Sequence, residues 1–205
     1  TKIRNYTTNP DNPITGEVWY NETDNVLKFE FPNLVGVWAT GGNLNNARSV
    51  MGAAGTQTAA LAFGRGKPGA GKEVESYDGS SWSEITDMNT ARFGFYGTGT
   101  QTAALAAGGY IPGVSPTQQA IAESWNGSSW SEVGDLNQDR QVNAMCGTNT
   151  AALCIGGFIP PGTDEVEEYD GTSWTEGPDL GTARYLLGAA GTSTAAVAFG
   201  GAGGT

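Results

Sequence analysis

The apolar positions of this chain come in short runs, and the runs repeat. The phrase GTQTAALAFG at residues 55–64 returns as GTQTAALAAGG at 99–109, GTNTAALCIGG at 147–157 and GTSTAAVAFGG at 191–201. No window shows the i, i+3, i+4, i+7 spacing of apolar residues that an amphipathic helix needs. Short strands joined by tight turns are therefore predicted throughout, and the predicted fold class is all-β.

Three landmarks keep one register in every copy. Four tryptophans recur at spacings of 44, 48 and 44 residues, an arginine follows each of them after ten residues, and a Gly-Thr pair follows each arginine after seven. Independent landmarks in one register exclude a simple bias of composition, so the chain contains a true tandem repeat. Structural roles are expected for Trp38, Trp82, Trp130, Trp174, Arg48, Arg92, Arg140 and Arg184.

Each repeat carries the signals of four strands. A run such as FGFYGT (93–98) leads through the Gly-Thr turn into TAALAAGG, and an Asp-Gly or Asn-Gly turn later joins a third strand to a fourth. Four strands in a period of 44 to 48 residues are typical of a β-propeller blade. Ala, Gly and Thr would fill the crowded strands near the axis, and each tryptophan would be buried against the next blade.

The two ends of the repeat region predict how the sheets are completed. The C-terminal hairpin has no outer pair of strands, whereas VLKFEF (26–31) and GVWAT (36–40) form an outer pair without an inner one. Joining them gives a four-bladed propeller closed by N- and C-terminal strands, with no exposed edge. The competing pairing of GEVWY (17–21) with VLKFEF implies part of a larger propeller of five to seven blades. We favour the closed ring, with a lead-in segment at 1–25 that includes strand 17–21, and the propeller at 26–205.

Charge and composition narrow the function. The formal net charge of −11 disfavours nucleic acid and anionic lipid as partners. No apolar run reaches the 18 residues that suggest a membrane span, so no membrane insertion is expected. The chain has no histidine, which excludes Ser-His-Asp triads and the usual zinc sites, and no cofactor is expected.

The cysteines and carboxylates are interpreted as structural. Cys146 is predicted to lie opposite about Ala151 in a hairpin, with Cys154 two or three positions further along, which disfavours a disulfide. The glutamates seven residues before the last three of these tryptophans are expected to pair with the repeated arginines rather than to catalyse, because a residue that recurs from blade to blade has a repeated role. Turn-capping Asx bonds are expected at other repeated carboxylates, and calcium at 163–170 or 9–13 is an alternative that matches no known loop spacing. The glutamates are Glu75, Glu123 and Glu167, and the capping residues are Asp87, Asp135 and Asp179.

The repeat resembles the kelch repeat. The resemblance covers roughly residues 26–201 and rests on the Gly-Gly doublets, the later Tyr-Asp-Gly, the tryptophan and the arginine. The first copy departs from it with Gly64-Arg65 in place of a doublet, and Trp125 stands where the other copies have Tyr77 and Tyr169. The resemblance implies a β-propeller, and it is weak for function because kelch propellers serve as adaptors, structural proteins and some oxidases.

A second resemblance concerns the N-terminal segment. The stretch GEVWYN followed by a turn and VLKFE resembles a short hairpin that precedes modules of bacteriophage tail-fibre and other virion-surface proteins. The degenerate repeats also resemble arrays from phages of marine bacteria. The resemblance implies a location on the virion surface, with other virion proteins or a host cell-surface glycan or protein as partners, and a homo-oligomer within a larger assembly.

The loops between the second and third strands are the predicted binding surface, because they differ where everything else repeats. Their prolines stiffen them, which lowers the ordering cost of a contact. We expect a non-enzymatic tail-fibre, decoration or adhesin module, in which serines at the apolar loop positions weaken binding without changing the melting temperature. The alternatives are a purely structural oligomeric spacer and a polysaccharide-acting enzyme on a propeller scaffold. The binding candidates are Arg65, Lys67, Tyr110, Ile111, Phe158 and Ile159.

Overall fold

Regular structure in the described part of this protein consists of strands. The computed structural model describes residues 4–10, 18–29, 40–65 and 71–203, and every regular element in these ranges is a β-strand, which confirms the all-β prediction. Within the same ranges no helix is long and apolar enough to cross a membrane. The chain divides into two compact units, Thr1–Thr40 and Gly41–Thr205.

The strands are short and evenly distributed. The first unit contains β1 (Arg4–Tyr6), β2 (Val18–Asn21) and β3 (Val26–Phe29). The second unit contains β4 (Gly52–Thr56), β5 (Ala59–Phe63), β6 (Val74–Tyr77), β7 (Trp82–Ile85), β8 (Tyr96–Thr100), β9 (Ala103–Ala107), β10 (Ala122–Trp125), β11 (Trp130–Glu132), β12 (Ala144–Gly147), β13 (Ala152–Gly157), β14 (Thr163–Tyr169), β15 (Trp174–Glu176), β16 (Arg184–Gly191) and β17 (Ala196–Gly203).

The first unit is a three-stranded sheet of order β1-β2-β3. Strand β2 pairs in parallel with β1 and antiparallel with β3, from Val18↔Phe29 to Asn21↔Val26. The pairing that the sequence offers as a competitor, GEVWY with VLKFEF, is therefore present for these residues. The segment GVWAT, needed for closure by the chain ends, falls mostly on residues 30–39, which lie outside the described residues.

The second unit confirms the four-strand reading of the repeat. Three antiparallel four-stranded sheets follow one another in the chain, and each runs in sequence order: β4 to β7, β8 to β11 and β12 to β15. The fourth copy contributes only the two-stranded sheet β16-β17 in the part of the chain that the structure describes. The first strands of successive sheets, β4, β8, β12 and β16, lie side by side.

Glycine and Asx residues make the two hairpin turns of each sheet. At the first turn Gly99 has a φ of 108°, and a Cβ there would lie 2.3 Å from the Ala103 carbonyl oxygen, so only glycine fits. At the second turn Oδ1 of Asp78 accepts hydrogen bonds from the N–H groups of Ser80 and Ser81, each at 2.8 Å. Asn126 and Asp170 make the same pair of bonds. These are the predicted Asp-Gly and Asn-Gly turns.

The second set of predicted Asx caps follows the fourth strand of each sheet, and the prediction is wrong for Asp135. Its Oδ1 accepts a hydrogen bond at 3.3 Å from the N–H of Ala122, which is 13 residues away. Asp87 lies 3.6 Å from Nζ of Lys72. Both carboxylates follow the fourth strand of their sheet and contact residues at or just before the start of the third strand. The third and fourth strands are antiparallel, so these two ends lie side by side.

Trp130 and Trp174 pack against the preceding sheet, which corrects the expectation that the repeated tryptophans pack against the next one. Trp130 meets Phe63 of the first sheet edge to face, with ring centroids 5.1 Å apart, and Trp174 lies in a cluster with Leu105 of the second sheet. Trp130 lies opposite Trp125 in the second sheet, and Trp125 lies opposite Ala104, so these three side chains share one face. This face is the one turned towards the first sheet. Trp82, in the first sheet, is only half-buried, and Trp38 lies outside the described residues.

Main-chain hydrogen bonds join one sheet to the next. Val50, Gly94, Val142 and Leu186 occupy the same position in the four copies and all have a φ between 48° and 68°. The N–H of Gly94 donates to the carbonyl of Val50 at 2.9 Å, that of Val142 to Gly94 at 2.5 Å and that of Leu186 to Val142 at 2.9 Å. A left-handed conformation at a β-branched residue is uncommon, and here it recurs because it aims the donor at the preceding sheet.

The cysteines lie on opposite faces of the third sheet. Cys146 pairs with Leu153, not with Ala151 as predicted, and Cys154 pairs with Met145. Because directly paired residues share a face and adjacent ones alternate, the two thiols point in opposite directions. Both are free and buried, as expected.

Candidate functional site

The loops that join second to third strands meet at one end of the sheets of the second unit. We call this surface the loop face and define it by residues 71–73, 108–121 and 158–162, with the residues that precede β8, β12 and β16. Isolated bridges connect these segments, because Phe93 pairs with Tyr110, Gln119 with Arg140, and Gln141 with Phe158. The predicted common face is thus present for these loops.

Tyr110 is fixed by main-chain and ring contacts. Its N–H donates to the carbonyl of Phe93 at 2.7 Å and its carbonyl accepts from Phe93 at 3.2 Å. The two rings lie 5.2 Å apart and are tilted by 58°. Tyr110 is half-buried, so it forms part of a firm platform rather than a free tip.

The segment after Tyr110 projects a small apolar tip. The N–H of Ile111 donates to the carbonyl of Thr117 at 2.9 Å, and Nε2 of Gln119 donates to the carbonyl of Pro116 at 2.5 Å. These bonds close the base of the loop and leave Ile111 half-buried. Val114 lies at the tip and is 45% exposed. An apolar side chain held out on a closed loop loses little entropy on contact with a partner.

Phe158 and Ile159 form the corresponding platform in the third sheet. The N–H of Phe158 donates to the carbonyl of Gln141 at 2.7 Å, and the Phe158 ring lies 5.0 Å from that of Tyr185 at an angle of 67°. Ile159 accepts a bond from the N–H of Gly162 at 2.6 Å, which tightens the short loop. Both Phe158 and Ile159 are half-buried. Serine at these positions is therefore expected to lower the melting temperature, contrary to the expectation from sequence.

Arg65 is paired, and Lys67 lies outside the described residues. The guanidinium of Arg65 lies 3.5 Å from Oε1 of Glu73, and its side chain is 15% exposed. Burial alone would raise the pKa of Glu73, but N–H donors at Glu73 and Gly71 and the charge of Arg65 outweigh it and hold that pKa below its usual value. The pair closes the base of its loop, as Gln119 does in the second sheet.

The repeated arginines and glutamates form the predicted buried pairs. Arg48 contacts Glu75, Arg92 contacts Glu123, and Arg140 contacts Glu167. In the first two pairs both side chains are fully buried, and in the third the glutamate is 2% exposed. The network links the segment before each first strand to the third strand of the same sheet. It holds each sheet together through a glutamate that is buried and paired.

A repeated asparagine completes each of these pairs. The N–H of Asn137 donates to Oε2 of Glu167 at 2.6 Å, and its Nδ2 donates to the carbonyl of Trp174 at 3.1 Å. Asn45 and Asn89 make the same two contacts in their sheets. The asparagine was visible in the sequence, because it stands three residues before each of the first three arginines.

A shallow groove of about 410 Å³ lies between the outer parts of the first two sheets, at the turn end. Its lining includes Ser76, Gln101 and Trp125. Trp125 is 3% exposed, and its indole N–H donates to the Gln101 carbonyl at 3.0 Å. The groove therefore presents no open aromatic ring on which a sugar would stack.

Metal chemistry has no candidate among the residues that the structure describes, since no group of three or more acidic or cysteine side chains is arranged to hold an ion there. The calcium alternative at 9–13 falls partly on residues outside these ranges.

Comparison with known proteins adds no information on function to that given by the fold and the loop face. No protein-family model matches the chain, and no curated protein sequence matches it significantly.

The loop face gains three residues that sequence reasoning missed: Phe93, Val114 and Tyr185. Two of them stand directly after a repeated arginine, where the other copies have Ser49 and Gln141, and this variability was the available signal.

Proposed function

We propose that the second unit is part of a kelch-like β-propeller on a bacteriophage particle, where it acts as a non-enzymatic tail-fibre, decoration or adhesin module. The successive sheets and their side-by-side first strands support a propeller, since the first strand of each blade lies nearest the axis. The location on a virion rests on the resemblance of the N-terminal segment and of the repeats.

Binding through the loop face is the function that the geometry supports best. The single observation that carries it is the contrast between a repeated scaffold and variable loops anchored to that scaffold by main-chain bonds. Phe93 and Tyr110 supply one aromatic platform, Phe158 and Tyr185 supply another, and Val114 projects beside the first. Rigid aromatic anchors with an exposed apolar contact suit a cell-surface protein or glycan, or another virion protein.

The test uses charge-matched variants on opposite ends of the sheets. Val114→Asp changes the loop face, and Gln57→Asp introduces the same charge at an exposed turn on the other end. Fluorescently labelled wild-type chain and both variants are added to a panel of marine bacterial cells and to an array of bacterial polysaccharides. We expect V114D to reduce binding at least tenfold and Q57D to leave it within about twofold.

Two results would contradict the proposal. Equal loss of binding in both variants would show that net charge, not the loop face, governs attachment. Binding of the wild-type chain to no cell and no polysaccharide, together with self-assembly in solution, would favour the structural spacer instead.

A further inference from the structure

In two copies of the repeat, a glycine packs tightly against the turn between the third and fourth strands of the sheet that follows it. Gly42 and Gly134 hold the same position in their copies, directly before the repeated Asn or Asp. A Cβ on Gly42 would lie 2.7 Å from the carbonyl oxygen of Ser80, in the turn between β6 and β7. A Cβ on Gly134 would lie 2.5 Å from the carbonyl oxygen of Thr172, in the turn between β14 and β15. A side chain does not approach a carbonyl oxygen so closely, so both contacts require glycine.

The equivalent contact between the first and second sheets has no glycine. Thr86 stands at the position of the two glycines, and Ser128 has the turn position of their neighbours. Because the Cβ of Thr86 cannot enter the space that glycine leaves, the end of β7 stays apart from the turn between β10 and β11. The groove of about 410 Å³ lies here, and both Thr86 and Ser128 line it. One residue difference thus accounts for the opening.

The side chain of Gln101 is fixed across this groove. Gln101 lies in the turn between β8 and β9, and its Nε2 donates to Oγ of Ser76 at 2.9 Å and to the carbonyl of Tyr77 at 2.5 Å. Since a main-chain carbonyl only accepts, these bonds set the orientation of the amide. Its Oε1 has no partner among the described residues and is available as an acceptor. Ser76 accepts from Gln101 and keeps its own proton to donate.

The polar part of the lining is uncharged. Its polar side chains are those of Ser76, Thr86, Gln101, Thr102 and Ser128, and no acidic or basic side chain is among the described residues that line the groove. A charged ligand would lose water here without gaining an opposite charge, and the net charge of −11 further disfavours anions. A wholly apolar ligand would leave the amide of Gln101 and the hydroxyl groups without hydrogen-bond partners.

We propose that the groove between the first two sheets binds an uncharged saccharide of one or two units. A sugar hydroxyl donates and accepts at once, which matches a lining of hydroxyl groups and one fixed amide oxygen. The volume lies in the range of small-molecule sites. Because Trp125 is 3% exposed, hydrogen bonds rather than ring stacking hold the sugar, and we expect a Kd on the order of 1 mM. The site is separate from the loop face.

The test uses neutral and charged sugars as probes. The isotopically labelled full chain is titrated with maltose, cellobiose, lactose and diacetylchitobiose. Nuclear magnetic resonance follows the side-chain amide of Gln101 and the indole N–H of Trp125. We expect a saturable shift of these signals with at least one of the four disaccharides. Binding of glucosamine and of glucuronate, which carry a positive and a negative charge, is expected to be at least tenfold weaker.

Variants of the chain assign the site. Thr86→Gly introduces the residue that the two closed junctions contain, so it is expected to close the groove and to weaken binding at least tenfold. Gln101→Asn introduces the residue that the third copy has at Asn149, and its shorter side chain is expected to weaken binding about tenfold. Thr182→Gly makes the same change as Thr86→Gly at an exposed position elsewhere, and no effect is expected. Melting curves establish that each variant folds, and Gln101→Asn decides the question if Thr86→Gly does not fold.

Four results would overturn the proposal. The first is that none of the four disaccharides shifts the signals of Gln101 and Trp125. The second is wild-type affinity in folded Thr86→Gly or in Gln101→Asn. The third is equal binding of neutral and charged sugars. The fourth is loss of saccharide binding in Val114→Asp but not in Thr86→Gly, which would assign the sugar to the loop face and leave the proposed function standing.

Discussion

Phe63 and Phe199 occupy the same position in the first and fourth copies of the repeat, yet one is fully buried and the other is 55% exposed. The local sequence is the same in kind, AALAF in one and AAVAF in the other. The difference is the next sheet, which supplies Phe95 and Trp130 around Phe63. The comparison shows that each copy of the repeat provides an apolar surface on its second strand. Whether that surface is buried depends on side chains of the neighbouring copy.

The largest difference in stability is expected when each of the two rings is replaced by alanine. Phe63→Ala is expected to lower the free energy of unfolding by about 4 kcal/mol, because it removes a fully buried ring from contact with Trp130. Phe199→Ala is expected to change it by less than about 1 kcal/mol. Urea denaturation of both variants measures the difference. Equal losses would show that Phe199 is buried in solution.

The buried ion pairs give a second matched test. Glu123→Ala leaves Arg92 buried without its partner and is expected to cost about 3 kcal/mol of stability. Arg184→Gln affects a half-buried arginine without an ion pair in the described structure, and a loss below about 1 kcal/mol is expected. If the two variants lose the same amount by urea denaturation, the fourth copy has a carboxylate partner after all.

The pH dependence of stability tests the contribution of the buried glutamate in the first sheet. Burial alone would raise the pKa of Glu75, but the N–H groups of Asn45 and Asn46 and the charge of Arg48 outweigh it, so the pKa lies below its usual value. A carboxylate with a lowered folded-state pKa stabilises fully above the unfolded value of about 4.3, and this contribution disappears as the pH falls through the folded pKa. Glu75→Gln should therefore flatten the fall in stability between pH 5 and pH 3.

Denaturant titrations at several pH values provide the measurement, with Glu132→Gln as the control at an exposed glutamate. A Glu75→Gln profile that keeps the wild-type slope would remove Glu75 from the acid transition.

The smallest expected effect is a difference in thiol labelling rates. Burial raises the pKa of both thiols, that of Cys154 to about 12, so neither reacts readily in the folded protein. Cys146 faces the two-stranded sheet β16-β17 and clusters with Leu187, whereas Cys154 faces the four-stranded second sheet and clusters with Leu105. Local opening of β16-β17 should expose Cys146 first, giving labelling in mild urea that is several-fold faster for Cys146.

The single variants Cys146→Ser and Cys154→Ser separate the two rates. Identical rates would mean that the fourth copy opens only together with the rest of the unit.

Much of the scaffold could be predicted because its signals are local or repeated. The hairpin turns follow from Asp-Gly and Asn-Gly, and the Arg92 to Glu123 pair follows from two residue types that recur together. Recurrence identifies partners even when the connecting loop changes length.

The remaining errors concern direction and contact. Strand alternation assigns residues to two faces but does not say which neighbour each face meets, so Trp130 was assigned to the wrong side. Cys146 pairs with Leu153, two residues beyond the predicted Ala151. The register of a hairpin depends on the length of its turn, which the sequence does not fix here. The ring contacts of Tyr110 and Phe158 depend on Phe93 and Tyr185, which come from different segments, and no local pattern predicts such a pair.

The main-chain bonds through Val50, Gly94, Val142 and Leu186 have an evolutionary consequence. Because the junction between neighbouring copies uses peptide groups that every residue except proline provides, a duplicated copy brings its own connector with it. Side chains that do not pack between neighbouring sheets are then free to diverge without breaking these bonds. We expect such an array to tolerate the gain or loss of a whole copy better than a change within one.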